Sequence, residues 1–212
     1  MTVKKGKTDL WRFSNQLPSN MRRQILHHIK QILEEEKVID VENPLCHLPI
    51  NVRKKIKRHL CLPVLKKVPM LEQNSELLQL ICNCLEPVYY NKHSCISREG
   101  EPVDAMLFIM QGIVWKSTRN ECEEETAQFI GKGDFCGGEL LDWGLRGSSP
   151  PSLSDLPIST VTVETRTKVY AFALMADDLR TIISRRHEAA STLQAAWRGT
   201  IVKRRMFQLH VG

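Results

Sequence analysis

Residues Gly133 to Val163 read GDFCGGELLDWGLRGSSPPSLSDLPISTVTV, and the first third of that run has the composition of a small-anion site. The adjacent glycines Gly137 and Gly138 let a backbone come close to a ligand with no Cβ in the way. Glu139-Leu140-Leu141 then opens a helix, whose first N–H groups and positive dipole end face an anion. Such a site binds; it does not transform. His27, His28, His47, His59 and the run Glu34-Glu35-Glu36 lack nucleophile–base spacing, and there is neither a Walker-type phosphate loop nor a metal motif. No catalytic residue, metal or cofactor is expected, so the chain reads as a binding module without turnover.

Several elements must position this segment. Leu17-Pro18-Ser19 introduces a helix carrying Met21, Ile25, Ile29 and Ile32 on one stripe. Leu48-Pro49 opens a second, with Val52, Ile56 and Leu60 on one face and Arg53, Lys54, Lys55, Lys57 and Arg58 around the rest; Pro63 is expected to end it. Asn74 or Ser75 caps a third, striped by Leu77, Leu78, Ile81 and Leu85 and stopped by Pro87. From Val88 the period changes to that of strands: Val88-Tyr89-Tyr90, Ser94-Cys95-Ile96, Ala105 to Met110, Ile113 to Ser117, Thr126 to Ile130, Ser159 to Glu164 and Lys168 to Leu174. A short helix, Glu139 to Leu145, interrupts them, and Asp177 is expected to cap a final helical region. Seven or so strands at this spacing, flanked by helices, predict an α+β fold around an antiparallel jelly-roll or barrel.

The 212 residues have ordinary globular composition and a net charge of +6, concentrated near Arg53 to Lys67 and Arg180 to Arg205. No apolar run approaches the roughly 20 residues of a membrane-spanning helix. Nor does an apolar signal-peptide core follow the basic N-terminus, so a cytosolic location is expected. The cysteines are odd in number (Cys46, Cys61, Cys82, Cys84, Cys95, Cys122 and Cys136) and lack framework or C-x-x-C spacing, so they read as reduced, buried or half-buried thiols.

The segments LPSNMRRQI, LCHLPINVRKKIKRHLCLPVLKKVPML, REGEPVDAMLFIMQG, GDFCGGELLDWGL and VYAFALMADDLR occur in an order that resembles the C-linker and cyclic-nucleotide-binding domain of cyclic nucleotide-gated channels, in wording nearest the plant members. The resemblance implies C-linker-like helices over 1–69, a β-roll over 70–186 and a calmodulin-binding helix over 187–212. It implies a regulatory module at the cytosolic face of a membrane, cAMP or cGMP as ligand, and channel subunits in a tetramer as partners, while the chain itself carries no pore. Phosphate would meet Gly137, Gly138 and Leu140 at the helix start and Ser159 and Thr160 on the facing strand; Glu139 would accept the ribose hydroxyl.

Three departures from the family pattern stand out. Gly138 occupies the place of the first glutamate in Gly-Glu-Glu-Leu-Leu, leaving Glu139 one residue later and roughly 100° round the helix. Val161 stands where the plant strand has arginine, and the animal register would put that arginine at Ser159. Losing one charge-assisted bond weakens binding roughly 10- to 150-fold, so weak nucleotide binding is expected. Most of the family's helical lid is also missing between Leu174 and Leu193. A nucleotide-free scaffold is therefore the alternative reading of the roll.

Near the C-terminus, Leu193-Gln194, Arg198-Gly199 and Lys203 match the IQ spacing. Leu193, Trp197 and Ile201 form a stripe bordered by basic residues, which suits the acidic, Met-rich groove of calmodulin. A terminal helix packing Trp197 on its own roll is the plainer reading. A nucleotide-responsive transcription factor would need a helix-turn-helix after the roll, and none is legible, so nucleic acid is not an expected partner. The basic face of Arg53 to Arg58 fits either solvent or acidic lipid headgroups.

Overall fold

A computed structural model describes residues 17–34, 45, 48–72, 74–118, 128–146 and 151–189. Helix α1 (Ser19–Glu34) follows Pro18, whose carbonyl accepts from Arg22 N at 3.0 Å. Helix α2 (Ile50–Leu65) begins after Pro49 and buries Ile56, Leu60, Cys61, Val64 and Leu65. Pro63 does not end it but lies within its last turn. The missing N–H and the ring clash cost about 3 kcal/mol or more within a helix. Burying Val64 and Leu65 beyond it, at about 1.5–3 kcal/mol each, offsets that. A short helix α3 (Pro69–Glu72), not foreseen from the sequence, leads into α4 (Ser75–Cys84). Asn74 caps α4, its Oδ1 accepting from Leu77 N at 3.0 Å.

The described strands are β1 (Glu86–Tyr90), β2 (Cys95–Ser97), β3 (Ala105–Gln111), β4 (Val114–Ser117), β5 (Gln128–Ile130), β6 (Phe135–Cys136), β7 (Thr162–Thr165) and β8 (Val169–Met175). They form two antiparallel four-stranded sheets ordered β1-β8-β3-β6 and β2-β7-β4-β5. The fold is thus α+β around an antiparallel roll, as the sequence implies. Helix α5 (Glu139–Leu145) lies between β6 and β7, and residues 176–189 form helix α6.

Two further local expectations fail for visible reasons, and one strand was not foreseen. The strand expected from Ser159 begins only at Thr162, because the Ser159 hydroxyl donates to the carbonyl two residues on, Val161 O, at 2.7 Å and turns the chain. Asp177 does not cap α6, which follows β8 directly; its carboxylate pairs instead with Arg180 within the first turn, at 2.7 Å. The two-residue β6 was invisible because it is too short for any alternation to show.

Strands β3 and β8 are buried on both faces, which is why each reads as a nearly unbroken apolar run. Met106, Phe108, Met110, Tyr170, Phe172 and Leu174 face the helices and share one core with Ile56, Leu65, Ile81, Leu85, Leu140 and Leu179. The alternate residues Leu107, Ile109, Val169, Ala171 and Ala173 face the other sheet and meet Val114, Ile130, Cys136 and Val163.

Candidate functional site

The inter-sheet side holds a cleft with about 490 Å³ of atom-free space, counting what opens to solvent. Its floor is Ala105 and Leu107 of β3 with Cys136 of β6; its walls are Tyr90 of β1, Ile96 and Ser97 of β2, Lys116 of β4 and Val163 of β7. Gly137, Glu139, Ser159 and Val161 complete the rim with Val103 and Asp104.

Gly137 fixes the corner where β6 becomes α5. Its φ of 79° is left-handed, and a Cβ there would sit 2.5 Å from the Ala105 carbonyl oxygen. Only glycine lets this turn press against β3. Gly138 differs: its φ is −62°, it already has helical geometry, and a Cβ would reach only the Phe135 ring at 3.4 Å. Leu140 N and Leu141 N donate back to Gly137 O and Gly138 O at 3.2 and 3.0 Å, closing the first turn of α5. The backbone thus sets Glu139 at the cleft while Leu140 turns fully into the core behind it.

Ser159 is buried at the opposite rim. Besides donating to Val161 O, its Oγ accepts from Val161 N at 3.4 Å, so this hydroxyl has internal partners on both sides. Backbone bonds Ser159 N to Glu101 O and Gly100 N to Ser159 O, each 2.8 Å, clamp the turn to the β2–β3 connection.

Burial raises the Cys136 thiol to about 11; the nearby charge of Lys116 pulls the other way, and Glu139 adds a smaller upward push. Burial likewise raises the Tyr90 phenol, helped by Cys136 and Asp104. The thiol at the floor is therefore neutral and unreactive near pH 7. Burial also raises Cys61, Cys82 and Cys84, with Cys82 reinforcing Cys61; Cys95 is exposed, and Cys46 and Cys122 lie outside the described residues.

No family model matches the chain. Curated proteins do. Cyclic nucleotide-gated ion channel 1 of Arabidopsis thaliana is 42% identical over 227 residues, covering 96% of this chain and 31% of the relative. Protein CNGC15a of Medicago truncatula is 39% identical over 183 residues, covering 84% of this chain and 25% of the relative. The chain is a homologue of plant cyclic nucleotide-gated ion channels. It spans about a third of the length of such relatives. Among solved structures, the solution structure of the cNMP-binding domain from an Arabidopsis thaliana cyclic nucleotide-regulated ion channel is 41% identical, covering 57% of this chain and 88% of that one with a TM-score of 0.48.

In this channel homologue the sequence-derived site residues divide. Gly137, Glu139 and Ser159 line the cleft together. Gly138 caps α5 without lining it, Leu140 belongs to the core, and Thr160 is exposed beside the rim. Leu193, Gln194, Trp197, Arg198, Gly199 and Lys203 lie outside the described residues. Sequence reasoning missed Tyr90, Ser97, Asp104 and Lys116. For Lys116 a signal existed: strand alternation puts it on the same face as Val114, which is fully buried. Among the described residues no group of His, Cys, Asp and Glu could hold a metal ion, and no helix is long and apolar enough to cross a membrane.

Proposed function

We propose that this chain is the cyclic-nucleotide-responsive regulatory region of a plant cation channel, taking cAMP or cGMP into the inter-sheet cleft. The observation that carries the reading is the left-handed turn at Gly137, packed on the Ala105 carbonyl, which brings the start of α5 and Glu139 to the mouth of a cleft between two sheets. Homology to plant channels along nearly the whole chain supports the same reading. Phosphate sits toward the backbone at Gly137, and Glu139 accepts a ribose hydroxyl. With Val161 apolar and the Ser159 hydroxyl engaged internally, affinity is low.

In this reading residues 1–69 act as a linker that transmits occupancy, residues 70–186 bind, and residues 187–212 recruit calmodulin through Leu193, Gln194, Trp197, Arg198, Gly199 and Lys203. Channel subunits assemble as a tetramer, and the region faces the cytosol beneath the plasma membrane. The internal bonds of Ser159 favour one rival: a roll that keeps its scaffold role, binds no nucleotide and answers to calmodulin alone.

Titrating the purified chain with fluorescent cAMP and cGMP separates the two. Saturable binding, displaced by unlabelled nucleotide, is expected; no saturation at high micromolar ligand leaves the scaffold reading. Calorimetry with calcium-loaded calmodulin should show a one-to-one complex that the Gln194→Ala/Trp197→Ala pair abolishes, and absence of heat removes that partner.

A further inference from the structure

Among the described residues that line the cleft, only Lys116 carries a positive side chain. It lies on β4 opposite Val163 of β7, and Val161 lies two residues before Val163, just ahead of the strand; all three line the cleft. The inward face of β4 is set by Val114, fully buried, whereas Trp115 between them faces outward and stacks under Arg166, whose guanidinium carbon is 3.8 Å from the ring centre. Lys116 is half-buried, and among the described residues no hydrogen bond or ion pair engages its ammonium. Its charge is nevertheless felt at the Cys136 thiol on the cleft floor.

We infer that the Lys116 ammonium is the cleft's phosphate-binding cation, reaching across from β4 to contact an oxygen of the cyclic phosphate above Val161 and opposite Gly137. The inference rests on the nucleotide reading above and supplies its missing electrostatic partner. Two lining carboxylates, Asp104 and Glu139, oppose an anionic ligand. Lys116 offsets one of those two charges and is the cation available to a phosphate oxygen. A charge-assisted bond to a phosphate oxygen makes affinity depend on salt and on which of the two exocyclic oxygens is available.

The test uses the whole purified chain and cAMP, cGMP and the Rp and Sp phosphorothioate forms of cAMP, with circular dichroism melts to verify folding. Lys116→Met should weaken binding of the parent nucleotides roughly 10- to 150-fold, Lys116→Arg should retain most of it, and Lys116→Met/Val161→Arg should recover it by supplying the cation from the adjacent strand. The Rp/Sp affinity ratio should shift severalfold in Lys116→Met, because sulfur replaces the oxygen the ammonium holds in only one of the two. If wild-type protein binds and Lys116→Met binds equally well, the inference is wrong while the nucleotide reading stands. A drop in affinity with an unchanged Rp/Sp ratio overturns the contact and leaves Lys116 acting through the general field. Wild-type protein that binds no cyclic nucleotide overturns both.

Discussion

The two faces of β3 and β8 serve different ends, although the same seven-residue strands carry both. Toward the helices every second residue is large and sealed: Met106, Phe108, Phe172 and Leu174 are at 0% exposure. Toward the other sheet the alternate positions are smaller, with Ala171 and Ala173 against Leu107 and Val163, and at one end the packing stops and the cleft begins. One face holds the chain folded. The other tolerates open space and polar groups, which is the condition for admitting a ligand.

Truncating the sealed face should produce the largest effect. Phe172→Ala removes a fully buried ring from the core shared with the helices, and about 3–5 kcal/mol of stability should go with it. Urea unfolding would read this as a lower midpoint at unchanged slope, and a loss below about 1 kcal/mol would mean the helices are not packed there. At the corner between the faces, Gly137→Ala forces a side chain into left-handed backbone and against the Ala105 carbonyl. About 2–3 kcal/mol is expected, together with loss of nucleotide binding, whereas Gly138→Ala at the helix N-cap should cost about 0.5–1 kcal/mol. Equal costs at the two glycines would contradict the turn described here.

How much of this was legible in the sequence depends on how far each signal reaches. The stripes of α2 and α4, the Asn74 cap and the apolar runs of β3 and β8 depend on neighbours a few residues away, and they read correctly. Gly137 was legible as a close approach, but not what it approaches, since Ala105 lies more than thirty residues earlier. Lys116 was missed because a lone lysine at a strand end reads as solvent-facing unless the parity set by Val114 is followed through. Lys57 sits in a basic helix and reads as one more exposed charge; its partner Glu86 is on β1. Pro63 misled because local rules stop a helix at proline, and only the buried Val64 and Leu65 reveal why the helix continues.

The cleft side has its own alkaline signature. Cys136 ionises near 9 when unfolded but near 11 when folded, so folding is favoured fully below pH 9 and loses that contribution as pH rises through 11. The loss is on the order of 2 kcal/mol. Comparing urea midpoints at pH 8 and pH 10.5 for the wild type and Cys136→Ala should show a shallower fall in the variant. Cys61 and Cys82, raised by burial on the helix side, continue to contribute in both proteins. An identical fall would place the alkaline sensitivity on the other groups that burial raises, Cys61, Cys82, Cys84, Tyr90 and Tyr170.

The last expected effect concerns the tie between the helices and the sheet they cover. Lys57 Nζ is 2.9 Å from Glu86 Oε1 and 3.5 Å from Asn83 O, with the lysine side chain 4% exposed and the glutamate 58%. The asymmetry decides which deletion costs more. Lys57→Met keeps an apolar stem in place and leaves Glu86 in water, so about 1 kcal/mol is expected. Glu86→Ala leaves an ammonium buried with one long carbonyl contact, so about 2 kcal/mol is expected, still below the 3–5 kcal/mol of a pair buried on both sides. If instead Lys57→Met shifts nucleotide affinity severalfold while stability hardly moves, this contact transmits occupancy of the cleft to α2. The division between a structural face and a binding face would then fail at β1, the strand that carries both Glu86 and Tyr90.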